Sequence, residues 1–162
     1  MHLFDIDVKN GQRFKESDTL SAGNSITVFD TKWGKMGLCI CYDFRFPELA
    51  RLMVDLGAKI ILVPAAFNMT TGPLHWELLF QSRAVDNQVF TIGTAPARNL
   101  NASYHSYGHS IIVSPWGKIL NQADFEETAL FTTINLNEIN LVREQIPLLR
   151  HRRLDIYELT QK

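Results

Sequence analysis

The chain has 162 residues, 46% of them hydrophobic, enough to bury one substantial core and too few for a second full domain. With 16 basic against 17 acidic residues the net charge is −1, so no overall field would hold a nucleic acid or an anionic membrane. No window approaches the roughly 18 consecutive apolar residues of a membrane span, and "MHLFDIDVKNGQRFK" lacks the apolar stretch of a signal peptide, so the expectation is a cytoplasmic protein with reduced thiols. In that setting "NMT" at Asn68 and "NAS" at Asn101 have glycosylation spacing without a secretory route.

Taken in chain order, "SITVF" (25–29) alternates like a half-buried strand, and "KMGLCIC" (35–41) follows as a second, mostly apolar one. From Pro47 the period changes: Leu49, Leu52, Met53 and Leu56 fall at i, i+3, i+4 and i+7, with Pro47 suited to a first helical turn and Gly57 to a stop. "KIILVP" (59–64) is a short apolar run of the kind found in strands covered on both faces. A helix over 72–88 and a strand over 89–96 repeat the unit. After the polar loop "NLNASYHSY", strands are predicted in "GHSIIVSP", "KIL" and "TALFTTINL" (128–136), then a helix over about 137–147 and a basic tail. Strand–helix–strand followed by hairpins points to an α/β sandwich with a mixed sheet, occupying the whole chain.

The two cysteines, Cys39 and Cys41, stand two apart. On an extended strand their Cα atoms would be ~6.5 Å apart, which disfavours a local disulfide. Their spacing and the scattered histidines do not make a zinc site, so no metal is expected. Mid-strand, Cys39 reads as a small buried hydrophobe. Cys41 lies at the C-terminal end of its strand, before a sharp connection to a helix, where backbone N–H groups and the helix dipole favour a thiolate. Ligands of open α/β sheets sit at that end, so Cys41 reads either as a nucleophile or as a second small hydrophobe.

"GLCICYDFRFPEL" resembles the nucleophile segment of the nitrilase superfamily of carbon–nitrogen hydrolases, with Cys41 at the nucleophile position. "HLFDID", "FKESDTLSAG", "PAAFNMTTGPLHWELL", "SRAVDNQVF", "GHSIIVSPWG" and "REQIPLLRHRR" extend the similarity over the chain and resemble the omega-amidase (Nit2) branch. The resemblance implies residues 1–162 of an N-terminally incomplete domain, the larger C-terminal part of an α-β-β-α sandwich that forms a homodimer. It implies hydrolysis of small dicarboxylic acid monoamides such as alpha-ketoglutaramate and succinamate, with no cofactor. A Glu-Lys-Cys triad divides the work: the thiolate adds to the amide carbon, the glutamate moves protons and the lysine stabilises the oxyanion. The N–H of Tyr42 is then the second oxyanion donor, and Glu16 matches a glutamate that buttresses the lysine. Of the triad only Cys41 has a counterpart, because the lysine position falls two residues before His2 and the glutamate earlier still. Lys9 and Lys15, in a predicted loop, are not defensible substitutes, and Glu48 reads as a first-turn acid.

Other residues admit two readings each. Phe67, Thr70 and Thr71 either wall a substrate pocket or start a helix with Thr71 as its cap. Arg45 either binds a substrate carboxylate or pairs with Asp43, Glu48 or Asp86. Asp86 and Asn87 read as structural hydrogen bonders, and Trp76, Leu79 and Phe80 as core. Leu136, Ile139, Ile146, Leu148 and Leu149 offer more apolar surface than a terminal segment buries alone, which marks association. A non-catalytic dimerising module and a thiol redox sensor at Cys41 are the alternative functions.

Overall fold

The computed structural model of the protein describes residues 1–8 and 12–162. Lys9 lies outside the described residues. Six strands form a mixed sheet in sequential order: β3 (Thr27–Thr31), β4 (Gly34–Leu38), β5 (Ile60–Pro64), β6 (Phe90–Thr94), β7 (Ile111–Val113) and β8 (Ile119–Gln122). The central three, β4, β5 and β6, are parallel, and their neighbours on either side are antiparallel. Helices α1 (Pro47–Asp55) and α2 (Gly72–Asn87) are the two crossovers this parallel core requires. A separate two-stranded ribbon joins β1 (Asp5–Asp7) to β2 (Arg13–Lys15); no strand is predicted there from sequence.

Alternation along the strands sorts the core into two layers. Ile61 and Val63 of β5 pack with Leu49, Met53, Trp76 and Phe80 of α1 and α2, whereas Ile60 and Phe90 face the opposite side with Ile139 of α3 (Asn137–Gln145). The expected two-sided burial of β5 therefore holds. Gly93 of β6 is glycine because a Cβ there would stand 2.4 Å from the Phe80 ring. That contact brings α2 against the sheet.

Three expectations are corrected. The first strand runs over Thr27–Thr31, two residues later than read. Residues 128–136 form no strand: Ile134 and Leu136 pack by their side chains, and Asn121 Nδ2 donates to the Phe131 carbonyl. The same alternation served side-chain burial rather than a backbone ladder. Finally, Leu136, Ile139 and Leu149 are covered by their own chain, leaving Ile146 and Leu148 among the exposed apolar residues. In the basic tail, Arg152 binds Asp55 through two hydrogen bonds of 2.9 and 3.0 Å, and Arg153 pairs with Asp155.

Candidate active site

A parallel core puts the C-terminal ends of β4, β5 and β6 on one edge, and the loops leaving them surround a cavity of about 590 Å³. Such volumes suit small molecules. Ile40, Cys41 and Tyr42 come from the first loop, Ala65 to Asn68 and Thr71 from the second, Ala95 and Pro96 from the third. Phe4, Phe14 and Glu16, from the ribbon and its flanks, and Tyr104, from the long loop before β7, also line it.

Cys41 is not on the strand. β4 ends at Leu38, although the Cys39 N–H still bonds the Leu62 carbonyl at 3.2 Å, and Cys41 opens a short 3-10 helix, Cys41–Arg45, with φ 45°. A left-handed conformation at a non-glycine residue costs ~1–3 kcal/mol and gathers at functional turns. Its effect is to separate the two thiols, which the strand reading put on one face. Cys39 is buried in the core and Cys41 lines the cavity.

Asp43 holds this turn. Buried, it accepts the Ile40 N–H at 3.1 Å, while its own N–H donates to the Ile40 carbonyl at 3.0 Å. It also accepts the His2 N–H at 2.7 Å and meets His2 Nδ1 at 2.8 Å, tying the N-terminal segment to the Cys41 turn. Burial pushes the Asp43 carboxyl up, but the N–H groups of His2 and Ile40 outweigh it and hold it below the usual range.

The thiolate expected from the helix dipole is not what the environment favours. Burial raises the Cys41 thiol above its ordinary value and the Glu16 charge raises it further, against backbone hydrogen bonds from Ala66 and Tyr42 and the charge of Arg45. Cys39 is pushed up to about 12, by burial first and then by the Asp43 charge. Iodoacetamide is therefore expected to label Cys41 before Cys39, with Glu16→Gln accelerating Cys41 severalfold near neutral pH by removing a charge that opposes the thiolate. Peptide mapping checks this; preferential labelling of Cys39, or a slower Glu16→Gln, would count against the assignment.

Glu16 and Arg45 are the charged side chains lining the cavity among the described residues, and no lysine lines it. Glu16 Oε2 accepts the Phe4 N–H at 2.8 Å. Lys15 lies in β2, exposed and 3.0 Å from Asp18. Arg45 makes none of the ion pairs considered from sequence: its Nη1 meets His75 Nδ1 at 3.0 Å and its guanidinium lies 4.6 Å over the Phe67 ring. Asp86 pairs instead with Arg83, and Asn87 bonds the Arg83 carbonyl as a structural group.

Phe67 and Thr71 line the cavity, whereas Thr70 is exposed and not among its lining residues. Thr71 sits at the cap position of α2 but makes no side-chain cap bond; its hydroxyl donates to Asn68 Oδ1 at 3.1 Å. Among the lining residues without a role in the sequence reading, Tyr104 and Asn68 stand out by their hydrogen bonds. Tyr104 donates its hydroxyl to the Ala66 carbonyl, with its own pKa pushed up to about 12 by burial and then by the Cys41 charge. Asn68 organises the loop entering α2; an asparagine three residues before a helix cap is a signal for such a turn, and sequence reading saw only a glycosylation spacing there. Among the described residues no group of acidic, histidine and cysteine side chains forms a metal site, and no helix is long and apolar enough to cross a membrane.

In sequence comparison the Carbon-nitrogen hydrolase family model matches residues 1–144. The chain belongs to that family. It is 52% identical over 162 residues to Omega-amidase NIT2-A of Xenopus laevis, which takes in 100% of this chain and 59% of that protein. With Omega-amidase NIT3 of Saccharomyces cerevisiae identity is 52% over 157 residues, 97% of this chain and 54% of that one. The crystal structure of S. cerevisiae Nit3, a member of branch 10 of the nitrilase superfamily, superimposes with a TM-score of 0.82 at 52% identity, over 85% of this chain and 51% of that chain. The C. elegans NitFhit protein gives 0.90 at 39% identity, over 98% and 39%. The nitrilase-type α/β fold is thus shared, and the chain spans about half the length of the curated relatives it matches.

Proposed function

We propose that this chain carries the nucleophile and the substrate pocket of an omega-amidase-like hydrolase acting on small dicarboxylic acid monoamides, succinamate and alpha-ketoglutaramate among them. The observation that carries the reading is the Cys41 thiol and a half-buried guanidinium, without a carboxylate partner among the described residues, on one small cavity. The names of the relatives, at about half identity, support it.

In this reading the Cys41 sulfur adds to the amide carbon as its thiol proton leaves, and the Tyr42 N–H donates to the resulting oxyanion. Collapse breaks the C–N bond, ammonia departs with the transferred proton, and an acyl thioester remains. Water then attacks the thioester carbon, releasing the dicarboxylate and restoring the thiol. Arg45 takes the distal carboxylate, and Glu16 sits where it orients a cationic partner. Glu16 and Arg45 are the charged side chains lining the cavity among the described residues, and neither is assigned the part of the proton-moving glutamate or of the lysine. Free Cys39 and Cys41 support a reducing, cytoplasmic setting, and the exposed Leu74 and Leu78 on α2 support a homodimer.

Joining the upstream part of the Xenopus laevis relative to these 162 residues tests the reading. The chimera is expected to release ammonia from succinamate and to lose that activity with Cys41→Ala. Activity surviving Cys41→Ala, or a folded chimera inert towards succinamate, refutes it.

A further inference from the structure

We propose that Asn68 is a specificity residue whose Nδ2 amide donates, beside the Arg45 guanidinium, to the distal carboxylate of the substrate. This rests on the dicarboxylate reading above and adds to it a recognition group of the pocket. Asn68 is 3% exposed yet lines the cavity. Its Oδ1 accepts three hydrogen bonds: from the Thr70 N–H at 3.1 Å, the Thr71 N–H at 2.9 Å and the Thr71 hydroxyl at 3.1 Å.

Two of those donors are backbone N–H groups, and of the two ends of a carboxamide only the oxygen can accept them, so the network itself orients the amide. The nitrogen is left with two hydrogens and, among the described residues, no protein acceptor. The donor is open to the cavity rather than sealed in the core, since Asn68 lines it, and a ligand that brings an acceptor there gains a hydrogen bond whose donor is already held in place by its own oxygen. A carboxylate is an acceptor only, and it suits a site where a guanidinium already stands over Phe67, the residue preceding Asn68. The substrate's amide oxygen has its own donor at Tyr42, beside Cys41. Its other end falls to Arg45 and Asn68.

Asn68→Asp separates this role from a purely structural one. Aspartate keeps the acceptor that holds Thr70 and Thr71 but replaces the free donor by a negatively charged oxygen. The measurement is the rate of Cys41 alkylation by iodoacetamide on the 162-residue chain, with succinate or neutral butyramide as the protecting probe. In Asn68→Asp the succinate concentration that halves the rate is expected to rise at least about tenfold, the scale of one lost charge-assisted hydrogen bond, while that for butyramide stays unchanged. Asn68→Ser, an acceptor without the amide or the charge, is expected to weaken succinate in the same direction by a smaller factor. Undiminished succinate protection in both variants, or equal weakening for both probes, overturns the inference alone. Butyramide protection without succinate protection in the unsubstituted chain overturns the dicarboxylate reading with it.

Discussion

Ammonia release from succinamate by the 162 residues alone is expected to fall at least about 10²–10⁴ below that of the chimera carrying the upstream part of the frog relative. The reason is the composition of the cavity: the Cys41 thiol, one carboxylate and one guanidinium, with no lysine on its wall among the described residues. Burial and the Glu16 charge also hold Cys41 towards its protonated form, so without a positioned proton acceptor little thiolate is present near neutrality. Loss of an oxyanion stabiliser costs about 10²–10³ by itself, and because the groups act as a unit the two losses need not multiply. Comparable turnover by the short chain, abolished by Cys41→Ala, would show that Glu16 moves the proton and that backbone N–H groups at the nucleophile suffice for the oxyanion.

Trp76→Ala is expected to cost roughly 3–5 kcal/mol, a large part of the ~5–15 kcal/mol by which a domain of this kind is stable. Trp76 is fully buried in α2, packed on Phe67 at 5.1 Å and Phe80 at 4.7 Å between ring centroids. Its Nε1 donates to the carbonyl of His109, a residue held at φ 62°, so truncation opens a cavity and also strands that carbonyl. The damage should reach the site, because Phe67 is the platform under Arg45. Trp76→Phe, which keeps the aromatic contacts and loses the N–H, is expected to cost distinctly less. Urea denaturation compares the three proteins; a Trp76→Ala loss below about 2 kcal/mol would mean that the cavity collapses and the carbonyl finds another donor.

By itself the sequence determined the parts of this protein that depend on local periodicity. The apolar run 59–64, the helical stripe from Pro47 and the long helix from Gly72 could be read because burial demands a side-chain pattern matched to each element's period. It also singled out Cys41, since a cysteine at the end of a core strand lies where parallel sheets open. The tertiary structure decided what required residues distant along the chain to meet. Glu16, Asn68, Tyr104 and Cys41 come from four separate segments, and only the sheet order brings them to one cavity. Arg45 settled on His75 and Phe67 rather than on a nearby carboxylate, and residues 128–136 spent their alternation on packing instead of a ladder. The thiol shows the difference most plainly: helix position argued for a thiolate, but desolvation and the charge of Glu16 raised its pKa, and both depend on which atoms surround the sulfur.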